Sequence, residues 1–546
     1  MDLFVPQEVR VVEEPLELRL ERTVATLAQL MRDGVPLAAA FSGGKDSLAL
    51  MVVWFMAVAR VLAEGIRPRM LVLHANTQIE NPLISAVAFA ELGRMQAYAK
   101  KLGVELEVAV SQPKLLDTWA VRILGGRALP SVPERQGDCS TDWKVAPMMR
   151  LREKLLPDWG QGREVCTLTG TRFSESEARG QKMRKRGDSD LAPVRNKMGE
   201  LVLSPIAHWT TENVWELIGL LTSGLLESYT DGVAVRDAYA DAGPTSCAVI
   251  NDSLTEGAPR KGGCGARFGC MLCMQVRTDA SMTAMLDKPE YAFLKGVAAL
   301  RQYLIDTDYD LENRLWVGRT IEKGHVAIRP DVYSPRKLRD LFRMAVTLDA
   351  EEFEASRIAG LNEPRFQLVT LEQMFAIDAH WSLNGHWDGF AALQDFLDIH
   401  EKGIRYPVPV VEPFPKVDLP APQFLPVGDD WTMAAKTHAA GLLDPYAASM
   451  LETCIGVTEY GKSSVVTAWE GIVEEEGFQF DQEGALLFLD FEAESHIEEY
   501  QHLQHYVRVG DWGRISTQTT GVDSQYKRFD CTPSTKKPTA GGWLFR

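Results

Sequence analysis

The chain lacks the features that mark secreted and membrane proteins. Its 546 residues contain eight cysteines, which are too few for a disulfide scaffold. The longest apolar run, residues 48–59, is too short to span a bilayer, and the acidic N-terminal segment does not resemble a signal or transit peptide. We therefore expect a cytoplasmic protein with no membrane partner.

Basic residues are also fewer than acidic residues, 58 against 75. The formal net charge is −17, and no Lys or Arg interrupts the ten acidic residues between Glu474 and Glu499. Because nucleic acids are bound largely by Lys and Arg that replace counterions, a nucleic-acid substrate would need a local basic surface or a partner that delivers it. One short basic run is present, namely Arg179, Lys182, Arg184, Lys185 and Arg186. Such a run forms either a solvated face or a contact for a phosphate backbone.

Apolar runs in the first half alternate with helical patterns. Four near-continuous apolar runs are typical of buried strands: 35–41, 70–76, 104–110 and 165–171. Three stretches between them carry apolar residues at helical spacing: 47–63, 82–102 and 144–156. This alternation predicts βα units, and hence an α/β fold with a doubly wound parallel sheet.

Composition divides the chain into five predicted segments. The α/β pattern covers residues 1–227, a cysteine-bearing and largely helical segment covers 228–345, and a helical extension covers 346–405. Seven prolines within 406–428 predict an extended, semi-rigid linker. We expect the remainder, 429–546, to form an α+β accessory domain.

The sharpest signal is a loop that reads SGGKDS, residues 42–47, between the first apolar run and the first helical pattern. Its two glycines allow close approach of the backbone to a ligand, the start of the helix contributes partial positive charge, and Lys45 adds a cation. The loop therefore predicts a phosphate site. Its spacing is not that of a Walker A motif. It resembles instead the PP-loop of the ATP pyrophosphatases, which hold ATP or an adenylate at the C-terminal edge of the sheet.

Three further segments, 139–147, 170–179 and 204–215, narrow the resemblance. In order, they resemble the cysteine segment, the arginine-containing substrate loop and the late strand-and-helix signature of the phosphoadenylylsulfate reductase branch. Within that branch, residues 76–82 and 263–273 look most like the DNA phosphorothioation sulfurtransferases of the DndC and SspD type.

This resemblance, which covers residues 30–345, implies an ATP-dependent sulfurtransferase. Such an enzyme adenylates a DNA backbone phosphate, releases pyrophosphate and replaces a non-bridging oxygen with sulfur. ATP and Mg²⁺ are the implied ligands. The implied partners are DNA, presented by proteins of a modification complex, and a cysteine desulfurase that donates sulfur.

The resemblance also assigns residues to these roles. Lys45, Asp46, Arg172 and Arg179 would carry the chemistry, with Asp46 leading to Mg²⁺ and the two arginines orienting the acceptor phosphate. The residues assigned to the nucleotide are Ser42, Gly43, Gly44, Lys45, Asp46, Ser47, Thr77 and Gly170.

Three cysteines, Cys264, Cys270 and Cys273, form a C-x₅-C-x₂-C cluster. Thiolates at this spacing can hold zinc or an iron–sulfur cluster, and the spacing alone does not choose between them. The resemblance implies a [4Fe–4S] cluster. Its fourth ligand would be Cys139, with Cys247 as the alternative.

Three other functions stay open at this point. The first is a phosphoadenylylsulfate or adenylylsulfate reductase, although the surroundings of Cys531 do not match the C-terminal cysteine motif of those enzymes. The second is a tRNA thiolase, which would depend on tRNA rather than DNA. The third is a nucleotide-sensing assembly subunit, which would bind ATP without releasing pyrophosphate.

Overall fold

The computed structural model describes most of the first 426 residues and two later strands. The described ranges are 14–133, 139–175, 177–197, 199–243, 268–384, 386–387, 390–419, 421–426, 455–460 and 463–468. Three cysteines considered above, Cys247, Cys264 and Cys531, lie outside the described residues, as does most of the expected C-terminal domain.

A six-stranded sheet forms the centre of the first half. Its strands are β1 (Leu37–Phe41), β2 (Arg69–Ala75), β3 (Glu105–Ser111), β4 (Cys166–Leu168), β5 (Val194–Arg195) and β6 (Leu201–Leu203). The strand order is β3-β2-β1-β4-β6-β5, and every neighbouring pair is parallel except β5 with β6. In register, Ala38 of β1 lies beside Leu71 of β2 and Thr167 of β4. The predicted α/β class with a doubly wound, mostly parallel sheet is confirmed.

Seven helices accompany this sheet within the described part of the first half: α1 (Leu16–Arg32), α2 (Lys45–Ala63), α3 (Pro82–Leu102), α4 (Ala146–Gly160), α5 (Glu177–Arg186), α6 (Thr211–Thr222) and α7 (Val233–Ala242). The bounds of α3 are those that the sequence predicts. Asn81 caps its start by accepting a hydrogen bond from the Leu83 N–H at 3.0 Å, and Gly103, with φ +69°, ends it.

Helix α2 is the most apolar element. It begins at Lys45 and therefore extends the predicted apolar run to a helix of 19 residues, which is long and apolar enough to cross a membrane by length and composition. Of its most apolar window, 67% is buried inside the fold, as in the core helix of an α/β domain. The expected cytoplasmic location and the lack of a membrane partner stay predictions.

The described part of the second half is largely helical up to residue 400, as its apolar patterns predict. Its helices are α8 (Ala280–Leu286), α9 (Lys295–Asp306), α10 (Pro335–Ile358), α11 (Leu371–Leu383) and α12 (Ala391–His400). Helix α10 continues through residues 345 and 346, so a domain boundary drawn there from composition cuts through a helix. The other segment bounds stay predictions.

A β-hairpin that the sequence reading did not anticipate precedes α10. Its strands are β7 (Arg314–Glu322) and β8 (His325–Tyr333), joined by Lys323 and Gly324. Both turn residues have positive φ, +49° and +73°, as the common two-residue hairpin turns require.

The proline-rich segment ends on this hairpin. Its last described residues form β9 (Gln423–Pro426), which pairs antiparallel with β8. The expected linker is therefore extended, but its end is a strand of a three-stranded sheet. Beyond it, β10 (Ile455–Tyr460) and β11 (Ser463–Ala468) form an antiparallel hairpin.

The helices of the second half share a core with the sheet domain. The Trp381 indole N–H of α11 donates to the carbonyl of Leu124 at 2.8 Å, and its ring packs edge-on against Phe342 of α10, with ring centroids 5.4 Å apart. The Gln373 amide donates to Gln78 Oε1 at 3.2 Å. These contacts fix the second half against the loops that follow β2 and β3.

Candidate nucleotide site

The SGGKDS loop lies at the C-terminal edge of the sheet, between the end of β1 and the start of α2. Its own hydroxyls hold its shape. Ser47 Oγ donates to the Gly44 carbonyl at 2.9 Å and accepts from the Ser42 N–H at 3.2 Å. The loop is thereby tied to the first turn of α2, whose N-terminus provides backbone N–H groups suited to an anion.

Close packing explains why glycine occupies two positions in and beside this loop. Gly43 has φ +76°, and a Cβ there would lie 2.6 Å from the Ala88 Cβ of α3. A Cβ on Gly170, just after β4, would lie 3.0 Å from the Asp46 carbonyl oxygen and 3.1 Å from the Ser47 Cα. The backbone of the loop therefore packs against α3 on one side and against the segment after β4 on the other, which restricts its motion.

The Asp46 carboxylate lies between two cations. Lys45 Nζ is 2.8 Å from Oδ2, and Arg172 Nε donates to Oδ1 at 2.7 Å. The Arg172 side chain is only 1% exposed, and its Nη1 donates to Ser174 Oγ at 2.9 Å and to the Trp209 carbonyl at 3.3 Å. Arg172 therefore supports Asp46 and the loop after β4 through two of its nitrogens. Its expected role in orienting an acceptor phosphate stays a prediction.

These residues line a cleft of about 470 Å³, a volume in the range of small-molecule sites. Its charged lining residues are four cations and three acids: Lys45, Lys144, Arg172, Arg179, Asp46, Glu80 and Glu175. The excess of cations in a confined space favours an anionic ligand.

One wall of the cleft is aromatic. The Tyr239 hydroxyl of α7 accepts a hydrogen bond from the Lys45 N–H at 3.4 Å, and the Lys45 ammonium lies 5.6 Å from the centre of the ring. The ring packs edge-on against Trp215 and Phe268, with centroids 5.4 and 5.3 Å apart. No sequence motif pointed to Tyr239, because only the tertiary fold brings α7 to the loop.

The structure brings together seven of the residues predicted for the site. Those that line the cleft are Ser42, Gly44, Lys45, Asp46, Ser47, Arg172 and Arg179. Gly43 and Gly170 act behind the lining, through the packing described above. Thr77 is fully buried and outside the lining, and its Oγ1 accepts from the Ile79 N–H at 3.5 Å, so it stabilises the turn after β2.

Cys270 lies in the wall of the same cleft. Its backbone forms an isolated antiparallel bridge with Glu80, and Lys144 Nζ lies 3.4 Å from Glu80 Oε1. Burial raises the pKa of the Cys270 thiol to about 11, Lys144 opposes that rise, and charges on Cys273 and Cys139 add to it. Of the three described cysteines of the predicted ligand set, Cys270 alone lines the cleft.

The ligand set for a metal is nevertheless incomplete in the described part of the chain. There, no group of three or more His, Cys, Asp or Glu side chains is arranged to hold a metal ion. Cys264 and Cys247 lie outside the described residues. The described cysteines fit a thiolate ligand set in chemistry, but their arrangement does not by itself support the expected [4Fe–4S] cluster.

Helix α5 begins at the mouth of the cleft. Arg179, on its first turn, forms an ion pair with Glu175, and both side chains line the cleft. The basic run of the sequence is thus carried by this helix.

Comparison with protein families identifies the domain that contains this cleft. The model of the phosphoadenosine phosphosulfate reductase domain matches residues 36–273. Those residues form a phosphoadenosine phosphosulfate reductase-like domain. The match contains the PP-loop, both predicted arginines and every cysteine of the predicted ligand set, so the reductase-like domain and the candidate site coincide.

Comparison with solved structures gives more distant likenesses. FMN adenylyltransferase from Candida glabrata, in complex with FMN and the ATP analogue AMPCPP, is 10% identical with a TM-score of 0.23, and the match covers 40% of this chain and 60% of that one. NAD⁺ synthetase from Burkholderia pseudomallei is 17% identical with a TM-score of 0.25, covering 44% and 90%. The chain thus spans 60% of the length of the adenylyltransferase. No curated protein sequence matched the chain.

Proposed function

We propose that the chain is an ATP-dependent sulfurtransferase that adenylates a DNA backbone phosphate and replaces one of its non-bridging oxygens with sulfur. The observation that carries the proposal is the Asp46 carboxylate, held between Lys45 and Arg172 at the N-terminus of α2 inside a cleft whose wall includes Cys270. A phosphate site and a thiol in one cleft suit an enzyme that joins adenylation to sulfur transfer. The reductase-like domain supports adenylate chemistry of this kind.

In the proposed reaction, the loop holds the phosphates of ATP. The N–H groups at the start of α2 and the Lys45 ammonium stabilise the charge that develops as an acceptor oxygen attacks the α-phosphorus. The bond between the α-phosphorus and the bridging oxygen breaks, and pyrophosphate leaves. Mg²⁺ bound through Asp46 would neutralise charge on the departing pyrophosphate.

The second step exchanges AMP for sulfur. The activated acceptor is a DNA phosphate joined to AMP through one of its former non-bridging oxygens. A thiol reductant releases sulfide from the persulfide of a cysteine desulfurase and is itself oxidised to a disulfide. The sulfide attacks the DNA phosphorus, and AMP leaves with that oxygen. The product is a phosphorothioate, and no change of oxidation state at phosphorus is required.

We assign the cysteines at the cleft to the sulfur side of this reaction. Cys264, Cys270 and Cys273, with Cys139 or alternatively Cys247 as the fourth ligand, would hold the proposed [4Fe–4S] cluster. When bound, such a cluster would supply sulfide ligands at the cleft wall. Because the net charge of −17 repels a polyanion, the proposal includes partner proteins that present the DNA.

A reductase that takes phosphoadenylylsulfate or adenylylsulfate as its substrate is the second candidate. The observation that favours it is the family match itself, which is to the phosphoadenosine phosphosulfate reductase domain. The sequence around Cys531 differs from the C-terminal cysteine motif of such reductases. We therefore rank the reductase function second.

The test is an acceptor comparison with anaerobically purified full-length protein. Mg²⁺-ATP, cysteine, a cysteine desulfurase, a thiol reductant and the partner proteins of the modification complex are supplied with DNA, with tRNA or with neither. Pyrophosphate and phosphorothioate linkages are measured. A parallel reaction offers phosphoadenylylsulfate and a reductant, and sulfite is measured. Lys45→Ala is the inactive control, and Lys114→Ala, outside the cleft lining, is its match.

We expect DNA-dependent pyrophosphate release and phosphorothioate formation, both lost in Lys45→Ala and kept in Lys114→Ala. Sulfite formation without pyrophosphate would establish the reductase instead. Dependence on tRNA would establish a thiolase. ATP binding with no pyrophosphate under any condition would identify a nucleotide-sensing subunit and overturn the proposal.

A further inference from the structure

Helix α5 is fixed to the protein along one face. Met183 is fully buried, and Gly180 is packed so tightly that a Cβ there would lie 2.6 Å from the Phe173 carbonyl oxygen. The Arg184 guanidinium carbon lies 5.6 Å from the centre of the Phe173 ring. One face of α5 is therefore packed against the protein, and its other face is exposed to solvent.

That remaining face is basic. Arg179, Lys182, Lys185 and Arg186 are all exposed, and their spacing of three to four residues places them on one side of the helix. We call these four residues the basic face. It stands out in a chain with a net charge of −17.

Two members of the basic face have no acidic partner in the part of the chain that the structure describes. Arg179 pairs with Glu175, and Arg186 pairs with Asp188 at 2.6 Å. Lys182 and Lys185 form no ion pair with any residue that the structure describes. Two lysines near the middle of the face are therefore available to an external anion.

The basic face continues directly from the cleft. Arg179 lines the cleft and also forms the first member of the face. The axial rise from Arg179 to Arg186 is about 10 Å, which matches the rise of about three phosphates along one DNA strand. A backbone lying on α5 would thus reach the cleft without a gap in positive charge.

We propose that the basic face of α5 is the docking track for the phosphodiester backbone of the acceptor nucleic acid, which it aligns so that one phosphate enters the cleft. The inference rests on the proposed function for the identity of the acceptor, and it adds the route by which that acceptor arrives. Continuity with a phosphate-binding loop selects a nucleic acid over an acidic protein or a membrane. An acidic protein offers no phosphate to the loop, and a flat lipid surface does not follow a helix into a cleft.

The experiment compares two neutralised pairs. Lys182→Gln/Lys185→Gln alters the track, and Lys100→Gln/Lys101→Gln removes the same charge from the C-terminal turn of α3. The latter lies about 30 Å along α3 from its cleft end, because that helix runs for 21 residues. Affinity for labelled single-stranded and duplex oligonucleotides is measured by fluorescence anisotropy over a series of salt concentrations.

We expect the track variant to lower the slope of log K against log salt by about 1.8 for duplex DNA or about 1.4 for a single strand. Its affinity at 0.1 M salt should fall by roughly tenfold or more. The control pair should keep the slope of the wild type. Thermal midpoints should not differ, because all four lysines are on the surface.

A track variant with the slope and affinity of the wild type would overturn the inference, as would a wild type that binds no nucleic acid even with the partner proteins present. Pyrophosphate release separates this result from the proposed function. If the wild type binds DNA through the track but releases no pyrophosphate with it, the track stands and the proposed function fails. If DNA drives pyrophosphate release equally well in both pairs, with the same KM, the proposed function stands and the track fails.

Discussion

Arg172 Nε donates to Asp46 Oδ1 across 2.7 Å, and the guanidinium that makes this bond is almost wholly enclosed by protein. Removing Arg172 leaves Lys45 as the remaining cation beside Asp46, and it also removes the donor to Ser174 and to the Trp209 carbonyl. We expect Arg172→Ala to lower the free energy of unfolding by about 3 to 5 kcal/mol. Arg60→Ala, which breaks a bidentate pair with Glu21 on the surface, should cost less than about 1 kcal/mol. Urea denaturation of both variants measures the difference, and equal losses would contradict the structural role of Arg172.

A second prediction concerns Gly43, whose close contact with Ala88 restrains the loop. Gly43 and Gly65 both have positive φ, but a Cβ at Gly65 would meet nothing within 4 Å, whereas one at Gly43 would collide with Ala88. Gly65→Ala should therefore cost only the backbone strain, about 1 to 2 kcal/mol. Gly43→Ala should cost a further 1 to 3 kcal/mol, approximately, because the neighbouring helix must move.

The nucleotide separates these two glycine variants more sharply than stability does. Binding of ATP, measured by calorimetry, should weaken by roughly tenfold or more in Gly43→Ala, since that change shifts the loop itself. Gly65→Ala should bind as the wild type does. Normal ATP affinity in Gly43→Ala would show that the loop does not form the phosphate site.

A third prediction follows from the Tyr239 hydroxyl, which accepts the first N–H of α2. A phosphate that docks at the helix start competes for that N–H, and the present bond is long, at 3.4 Å. Tyr239→Phe should consequently bind ATP about twofold more tightly, which corresponds to a weak hydrogen bond of about 0.5 kcal/mol. Tyr98→Phe, on α3 and outside the cleft lining, serves as the control. A large loss of affinity in Tyr239→Phe would mean that the phenol donates to the nucleotide.

The fourth prediction separates Cys270 from the nucleotide. Cys270→Ser should leave ATP binding unchanged, because none of the loop contacts involves this residue, and it should abolish sulfur transfer. Iron and acid-labile sulfide, measured on anaerobically purified protein, should be lost as well. Cys166 is buried on β4 and lies outside the cleft lining, so Cys166→Ala should keep its iron. Zinc without sulfide in the wild type would contradict the cluster.

The fifth prediction concerns pH and a lysine far from the cleft. Lys337 of α10 is 3% exposed and donates to the Tyr303 hydroxyl at 2.6 Å, and burial lowers its pKa to about 8. The unfolded chain, in which the lysine pKa is about 10.4, then binds more protons than the native chain between about pH 8 and pH 10.4. The Lys337 contribution to the free energy of unfolding should therefore rise with pH over that window.

Denaturation at several pH values tests the sign of this effect. The difference between wild type and Lys337→Met should shift in favour of the wild type as pH increases from about 8 to about 10. A difference that does not change with pH would show that Lys337 keeps its ordinary pKa in the folded protein.

The sequence predicted the sheet domain closely because its signals are local. Continuous apolar runs mark β1 to β3 within one or two residues, and capping residues mark both ends of α3. The run at 165–171 was longer than β4, which ends at Leu168. Thr169 and Thr171 leave the sheet there and share hydrogen bonds of 2.9 and 3.0 Å with Ser204.

What the sequence could not provide depends on contacts between distant segments. The β7–β8 hairpin turns at Lys323-Gly324, which lacks the Asn-Gly signature of such turns. At the site, the loop is contiguous and was found, whereas Tyr239 lies 194 positions from Lys45 and reaches it only through the packing of α7. Glu80 and Lys144 fall within segments that carried the family resemblance, but nothing in the spacing predicted that they would pair.

The Trp381 indole, which donates to the Leu124 carbonyl, helps to decide whether the cleft can be separated from the rest of the chain. The family description ends at residue 273, yet Arg301 Nε bonds the Cys273 carbonyl at 2.7 Å, and α11 closes over the loops after β2 and β3. The segment that matches the family model is thus shorter than the segment that must be kept intact. A transplanted or truncated version of the cleft must therefore keep the chain through α11.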